Sequence, residues 1–443
     1  MGDLLISGGT LVNEGIRQEK DLLVRNGRIE KIDSSISPGN SSVVDASGML
    51  VMPGLIDDQV HFREPGLTHK ACMRSESQAA VAGGVTTFFE MPNVSPPTLT
   101  MDRLEEKCEI ARRDSIANYA FFLGASNENI EEVKSADSSK IAGIKVFMGS
   151  STGNMLVDEE EVLEKIFRFS PTPIATHCEH TPLILKNEEI ARGKFGEQVP
   201  FSEHPMIRSR EACFRSSSLA VELARRENAS LHVLHITTEE ELDLFTPGDE
   251  KITAEACVHH LWFEESSYEK LGSLIKCNPA IKGASDRTAI RQAVVDGRIS
   301  VLATDHAPHT WEEKQRKYFQ APSGLPLLQH SLLLFMEMVK EQSFSLEAMV
   351  QRACHAPAEI FGIQERGFLR EGYWADLVLV DPSSTTTVSE NELFSRCKWS
   401  PFAGEKFSHR IDTTIVSGKI AWQKGHMFHG TRGERIKFEK ERR

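Results

Sequence analysis

Six segments of the chain carry side chains that bind metals or titrate. They are Asp57-Asp58-Gln59-Val60-His61-Phe62-Arg63, Met91-Pro92-Asn93, Lys145, His177, His235 and Thr304-Asp305-His306-Ala307-Pro308-His309. Each lies in or just after an apolar, strand-like run. Imidazole and carboxylate are donors for a divalent cation. Lys145, inside Ile-Lys-Val-Phe-Met, is harder to place, because burying an unpaired ammonium costs several kcal/mol or forces it neutral. A neutral buried amine can add CO₂ to give a carbamate, an anion with two oxygens able to bridge two cations. Taken singly, each residue has an ordinary role: His235 as a hydrogen-bonded core histidine, Asp305 as a turn or helix cap. Six strand ends carrying such groups together point to a shared site.

The elements that must position these groups follow from the pattern. Strand-like runs at Met49–Ile56, Val85–Glu90, Tyr119–Leu123, Ile141–Met148, Pro173–Thr176, Leu231–Ile236, Lys251–Val258 and Ile299–Ala303 alternate with helical stretches, the signature of a parallel α/β architecture. Eight such runs predict a distorted (β/α)₈ TIM barrel over residues 53–362, in which the C-terminal strand ends meet at one mouth. An open doubly wound sheet is the alternative. Residues 1–52 hold short β runs divided by Asn26-Gly27 and Pro38-Gly39, the punctuation of hairpins. A β pattern returns in 363–443, at Ala375–Val380 and Thr413–Val416, so the two ends are expected to form one small composite β domain. Polar stretches at Gly149–Asn154 and Thr310–Gly324 are the loops whose composition suggests function.

Composition narrows the classes. With 51 Lys and Arg against 64 Asp and Glu, the net charge is −13, and no basic cluster suited to nucleic acid occurs before the tail. The mixed charges of Thr431–Arg443 read as a solvated terminus. Eight cysteines without a C-x-x-C pair suggest reduced thiols. No apolar run is long enough to span a membrane, and no signal-peptide pattern opens the chain. A cytoplasmic protein acting on a small molecule, with no nucleic-acid or membrane partner, is expected.

Gly54-Leu55-Ile56-Asp57-Asp58-Gln59-Val60-His61-Phe62-Arg63-Glu64-Pro65-Gly66, with Met91-Pro92-Asn93, Lys276-Cys277-Asn278-Pro279 and Thr304-Asp305-His306-Ala307-Pro308-His309, resembles the dihydroorotases of the amidohydrolase superfamily. The resemblance runs over nearly the whole chain. It implies a zinc centre and the reversible hydrolysis of (S)-dihydroorotate to N-carbamoyl-L-aspartate in pyrimidine synthesis. By motif position it implies His61, a carboxylated Lys145, His177, His235 and Asp305 as metal ligands, with Asp305 also the catalytic proton carrier. Arg63, Asn93 and His309 would hold the substrate carboxylate, and Asn278 would contact the ring. The resemblance leaves room for a homodimer and for association with aspartate transcarbamoylase.

Two positions depart from the family pattern. The first histidine of its His-x-His motif is here Gln59, whose neutral amide is a weaker zinc donor than imidazole, so one tight and one weaker metal are expected, with His306 and His180 as candidate replacements. His180 itself stands where an acidic residue is the rule. Hydantoinase or allantoinase chemistry is the nearest rival, and it would leave Arg63, Asn93 and His309 without a carboxylate. A silent barrel serving as a scaffold has only Gln59 in its favour.

Overall fold

The computed structural model describes residues 2–149 and 155–440. Most of the polar segment Gly149–Asn154 therefore lies outside the described residues. Parallel strands Leu55–Val60, Val85–Glu90 and Asn118–Phe121 form one arc; Leu123–Gly124, Ile144–Phe147, Ile174–His177, Leu231–Val233, Ile252–Cys257 and Val301–Ala303 form a second. All their residues are buried, as expected of parallel strands covered by helices on the outside and filled by side chains within. The arcs join at Phe122, whose N–H donates to Glu90 O (3.2 Å), while the next residue's N–H donates to Gly143 O (3.1 Å).

At the opposite seam Val60 bridges His306, and the His61 N–H donates to His306 O at 2.7 Å. There Asp57 accepts from the Thr304 hydroxyl (2.6 Å) and the Thr304 N–H (3.3 Å). Two irregular seams thus close a distorted barrel.

The run Met49–Ile56, expected as one strand, divides at Gly54. Leu50–Pro53 pairs antiparallel with Leu377–Asp381 in a flanking sheet, and the barrel strand begins only at Leu55. A Cβ on Gly54 would lie 2.1 Å from Thr86 Cγ2, so the chain can cross this point only without a side chain. The flanking sheet is built from both ends of the sequence: Leu4–Asn13, Ile16–Arg25, Arg28–Asp33, Ser42–Asp45 and Leu50–Pro53 join Leu377–Asp381, Arg410–Val416, Lys419–Gln423 and His426–Met427. Leu4, Ile6, Leu22, Val51, Leu377 and Ile415 fill its core.

The charged terminus is not a solvated tail along its described length. Residues 433–439 run against the barrel, with Tyr119 N–H donating to Glu434 O (3.0 Å) and Ile436 N–H to Tyr119 O (2.9 Å). Ile436 and Phe438 are buried among Phe89, Phe122 and Phe361, and the Phe438 and Phe89 ring centroids are 5.7 Å apart, nearly edge-on. Charged residues alternate with these two apolar ones, so one face of the strand-like segment closes the barrel floor while the other meets water. Among the described residues no helix is long and apolar enough to cross a membrane. Phe438→Ala should lower stability by about 3 kcal/mol through loss of buried ring and a residual cavity, read as a fall in melting temperature with kcat unchanged.

Candidate functional site

The barrel's C-terminal rim carries the residues that the sequence singled out. His61 follows the first barrel strand, Lys145 lies in Ile144–Phe147, His177 ends Ile174–His177, and His235 and Asp305 stand two residues beyond Leu231–Val233 and Val301–Ala303. All five are buried. His235 and Asp305 have positive φ, 40° and 49°, a backbone state uncommon outside glycine, though His and Asp enter it more readily than most, and one that clusters at functional turns.

Their nitrogens and oxygens face one another in close pairs. His61 Nδ1–H donates to Asn93 Oδ1 at 2.8 Å, which turns Nε2 and its lone pair toward Asp305 Oδ1, 3.1 Å away. His177 Nε2–H donates to Glu179 at 3.0 Å, so its Nδ1 lone pair confronts His235 Nε2 at 3.0 Å. Burial holds both imidazoles neutral, lowering the pKa of His177 and pushing that of His235 well below the ordinary value. Two donor atoms about 3.3 Å apart are what one tetrahedral cation with ligand distances near 2.0 Å places around itself. The residues therefore fit a divalent metal.

Lys145 completes the set. Its Nζ is buried with no hydrogen-bond partner, 4.5 Å from the Phe147 ring centroid. Burial pushes its pKa down to about 7, against the pull of Asp305, so a large share of the amine is neutral and nucleophilic at physiological pH. Glu179 was not foreseen as part of the site. Burial alone would raise its pKa, but Arg208 and His177 more than offset this and hold it well below the carboxylate range. It orients the His177 imidazole from two residues further along the chain, a role that only the folded positions reveal.

Gln59 sits between the two halves of the rim. Its Nε2 donates to Asp305 Oδ1 (3.2 Å), and its Oε1 lies 3.7 Å from Cys257 Sγ, whose thiol points to Glu255 Oε1 at 3.0 Å. The two spare histidines have other partners. His306 faces Glu76 at 2.8 Å through Nε2 and accepts the Leu327 and Leu328 N–H groups at Nδ1. His180 caps helix Thr181–Phe195, accepting from the Leu183 N–H at 3.3 Å, which accounts for a histidine at that position.

Beside the rim lies a cationic pocket. Arg63, with φ of 66°, donates through Nε to Pro308 O (3.1 Å) and places Nη2 3.1 Å from His309 Nε2. Among the described residues no carboxylate lies within ion-pair distance of it, and burial lowers its pKa to about 10. His309 is pushed well below its ordinary pKa by burial and by Arg63; its Nδ1 lies 3.1 Å from Lys70 Nζ, and Trp399 Nε1 donates to its carbonyl at 2.7 Å. Asn278, in a cis bond with Pro279, has a buried Oδ1 without a partner.

The model of the amidohydrolase family matches residues 50–421. The chain belongs to the amidohydrolase family. Curated relatives include the dihydroorotases of Methanothermobacter thermautotrophicus, 31% identical over 95% of this chain and 93% of that protein, and of Bacillus cytotoxicus, 32% identical over 96% and 99%. Among solved structures, the L-hydantoinase of Arthrobacter aurescens superposes with a TM-score of 0.93 at 26% identity, covering 99% of this chain and all of that one. Dihydropyrimidinase from Brevibacillus agri, at 0.91 and 22% identity, shares the fold. This amidohydrolase is thus an enzyme of a metal-dependent class whose rim offers matching donors.

Of the two donor pairs, the His61 and Asp305 side is expected to be the weaker, because its neighbour Gln59 donates to Asp305 and a neutral amide is a poorer metal donor than imidazole. A mild chelator should remove the cation of that side first. Gln59→His should retain it, read as bound metal per chain after identical dialysis; equal retention would assign the missing role to another residue.

Proposed function

We propose that the protein is a dihydroorotase, interconverting (S)-dihydroorotate and N-carbamoyl-L-aspartate in pyrimidine biosynthesis. The observation that carries this is Arg63, a buried guanidinium with no carboxylate partner among the described residues. A planar fork of this kind matches the two oxygens of a carboxylate, and dihydroorotate bears one on its ring. The Nδ2 of Asn93 stands as a further donor, His309, whose Nε2–H is directed to Ser323 O at 3.0 Å, would flank the carboxylate, and Asn278 would contact the ring. Hydantoin and allantoin lack the carboxylate and would leave the guanidinium fork without a two-oxygen partner, which favours dihydroorotate over the chemistry named for the structural neighbours.

His61, Lys145 as its carbamate, His177, His235 and Asp305 would hold zinc. The ion, when bound, supplies polarisation of the ring amide and a lowered pKa for water. Asp305 takes the proton of the attacking water and delivers it to the departing ring nitrogen as the amide C–N bond breaks; in the reverse direction it returns that proton as water is lost. Gln59 holds the Asp305 carboxylate in place through its amide. Glu179 keeps His177 in one tautomer. The cytoplasm as the compartment accords with eight free thiols. A homodimer and an association with aspartate transcarbamoylase rest on the resemblance alone.

Zinc-loaded protein incubated in turn with dihydroorotate, hydantoin and allantoin should open the first ring alone; turnover of hydantoin but not dihydroorotate would overturn the proposal. Arg63→Lys should raise KM about 100-fold, some 2.7 kcal/mol of binding, with metal content unchanged. Asp305→Ala should abolish turnover, because a ligand and the proton carrier are lost together; activity within about tenfold of the parent would sink that role.

A further inference from the structure

Below the rim, inside the barrel, lies a second cluster that the chemistry above does not use: Asp58 on strand Leu55–Val60, His232 on Leu231–Val233 and Glu255 on Ile252–Cys257. Asp58 and His232 stand three residues before the rim residues His61 and His235, and Glu255 stands two residues before the end of its strand, so the cluster lies just beneath the rim, with Glu255 accepting from the His235 N–H. All three side chains are fully buried.

The hydrogen bonds around them define what is missing. Thr253 Oγ1 donates its one proton to Leu231 O (3.2 Å) and so accepts from His232 Nδ1–H at 2.8 Å. His232 Nε2 then faces Asp58 Oδ2 at 3.1 Å and Glu255 Oε2 at 3.9 Å. Neither contact has hydrogen-bond geometry: Asp58 Oδ1 and Oδ2, His232 Nε2 and Glu255 Oε2 all lack a partner. The other Glu255 oxygen is engaged, by the Cys257 thiol (3.0 Å) and the His235 N–H (3.1 Å), which fixes Oε2 toward the cluster.

Four orphaned polar atoms in a dry interior are costly. Against the pull of burial, Asp58 and Glu255 lift the pKa of His232 to about 9, so without an ion an imidazolium faces both carboxylates and still leaves Asp58 Oδ1 without a partner. A divalent cation beside a neutral imidazole brings the sum to zero. The geometry suits it, since the ligand atoms lie within 4.8 Å of one another, and separations of 3.1 and 3.9 Å bracket the ~3.3 Å edge of a tetrahedral zinc site.

We propose that Asp58, His232 and Glu255 form a structural divalent-cation site, zinc being the best match to one nitrogen and two oxygen donors, separate from the rim. Closed off from solvent, the ion would be enclosed as the barrel forms and would exchange slowly. Through Glu255 it would also hold the His235 backbone in its positive-φ turn.

The test is zinc content of the full-length protein, by elemental analysis, without substrate, so that it stands apart from the dihydroorotase proposal. Wild type dialysed against dipicolinate should keep about one equivalent that is released only on unfolding, and Asp58→Asn and His232→Gln should each lack that fraction while the readily stripped zinc is unchanged. Equal resistant zinc in wild type and variants, or none in wild type, overturns the site and leaves an imidazolium ion pair. Should the variants fail to fold, anomalous diffraction from wild-type crystals at the zinc edge decides: a peak among the three side chains supports the site and its absence overturns it.

Discussion

The structure depends on donor atoms set in close pairs at the barrel rim. His177 Nδ1 lies 3.0 Å from His235 Nε2 and His61 Nε2 lies 3.1 Å from Asp305 Oδ1, with the other ring nitrogen of His177 and of His61 committed elsewhere. Glu179 and Asn93 impose that commitment by fixing the tautomers. A divalent cation between the members of each pair would engage all four donor atoms. The scaffold must therefore hold the pairs in register, and positive-φ turns at His235 and Asp305 aim two of the four side chains.

Rigidity comes from how the barrel is closed. The strand-one to strand-eight seam joins through Asp57 and Thr304 and through the His61 and His306 backbones, so the elements that carry His61 and Asp305 are tied within one residue of those ligands. The flanking segment adds a second tie: Trp399 bonds the His309 carbonyl, and the Arg396 N–H donates to Glu76, itself paired with His306. The residues beside Arg63 are thus held from the flanking segment as much as from the barrel.

Much of this was legible in the sequence because strand ends in a parallel barrel converge, so a recurrent pattern of His, Asp and Lys after apolar runs identifies a site without knowledge of contacts. What was not legible depended on partners remote in the chain. Met49–Ile56 reads as one strand, since nothing local shows that Leu50–Pro53 pairs with Leu377–Asp381 or that Thr86 crowds Gly54. Ile436 and Phe438 are hidden among charges, and only the hole in the barrel floor gives their alternation a meaning. His180 looked like a spare ligand because a capping histidine and a metal-binding one differ in direction, not in type. Glu179 and Cys257 became visible only once His177 and Gln59 had positions.

The pairing of the two sequence ends sets an order of assembly during synthesis. The hairpins of the first 53 residues leave the ribosome with a sheet edge whose partner, Leu377–Asp381, is more than 300 residues behind. At about 5 to 20 residues per second that edge waits on the order of twenty seconds or longer, exposed to other nascent chains. The barrel cannot close its floor until Phe438 has been made. Leu50–Pro53 is therefore an unpaired edge for the whole time that the barrel is being made.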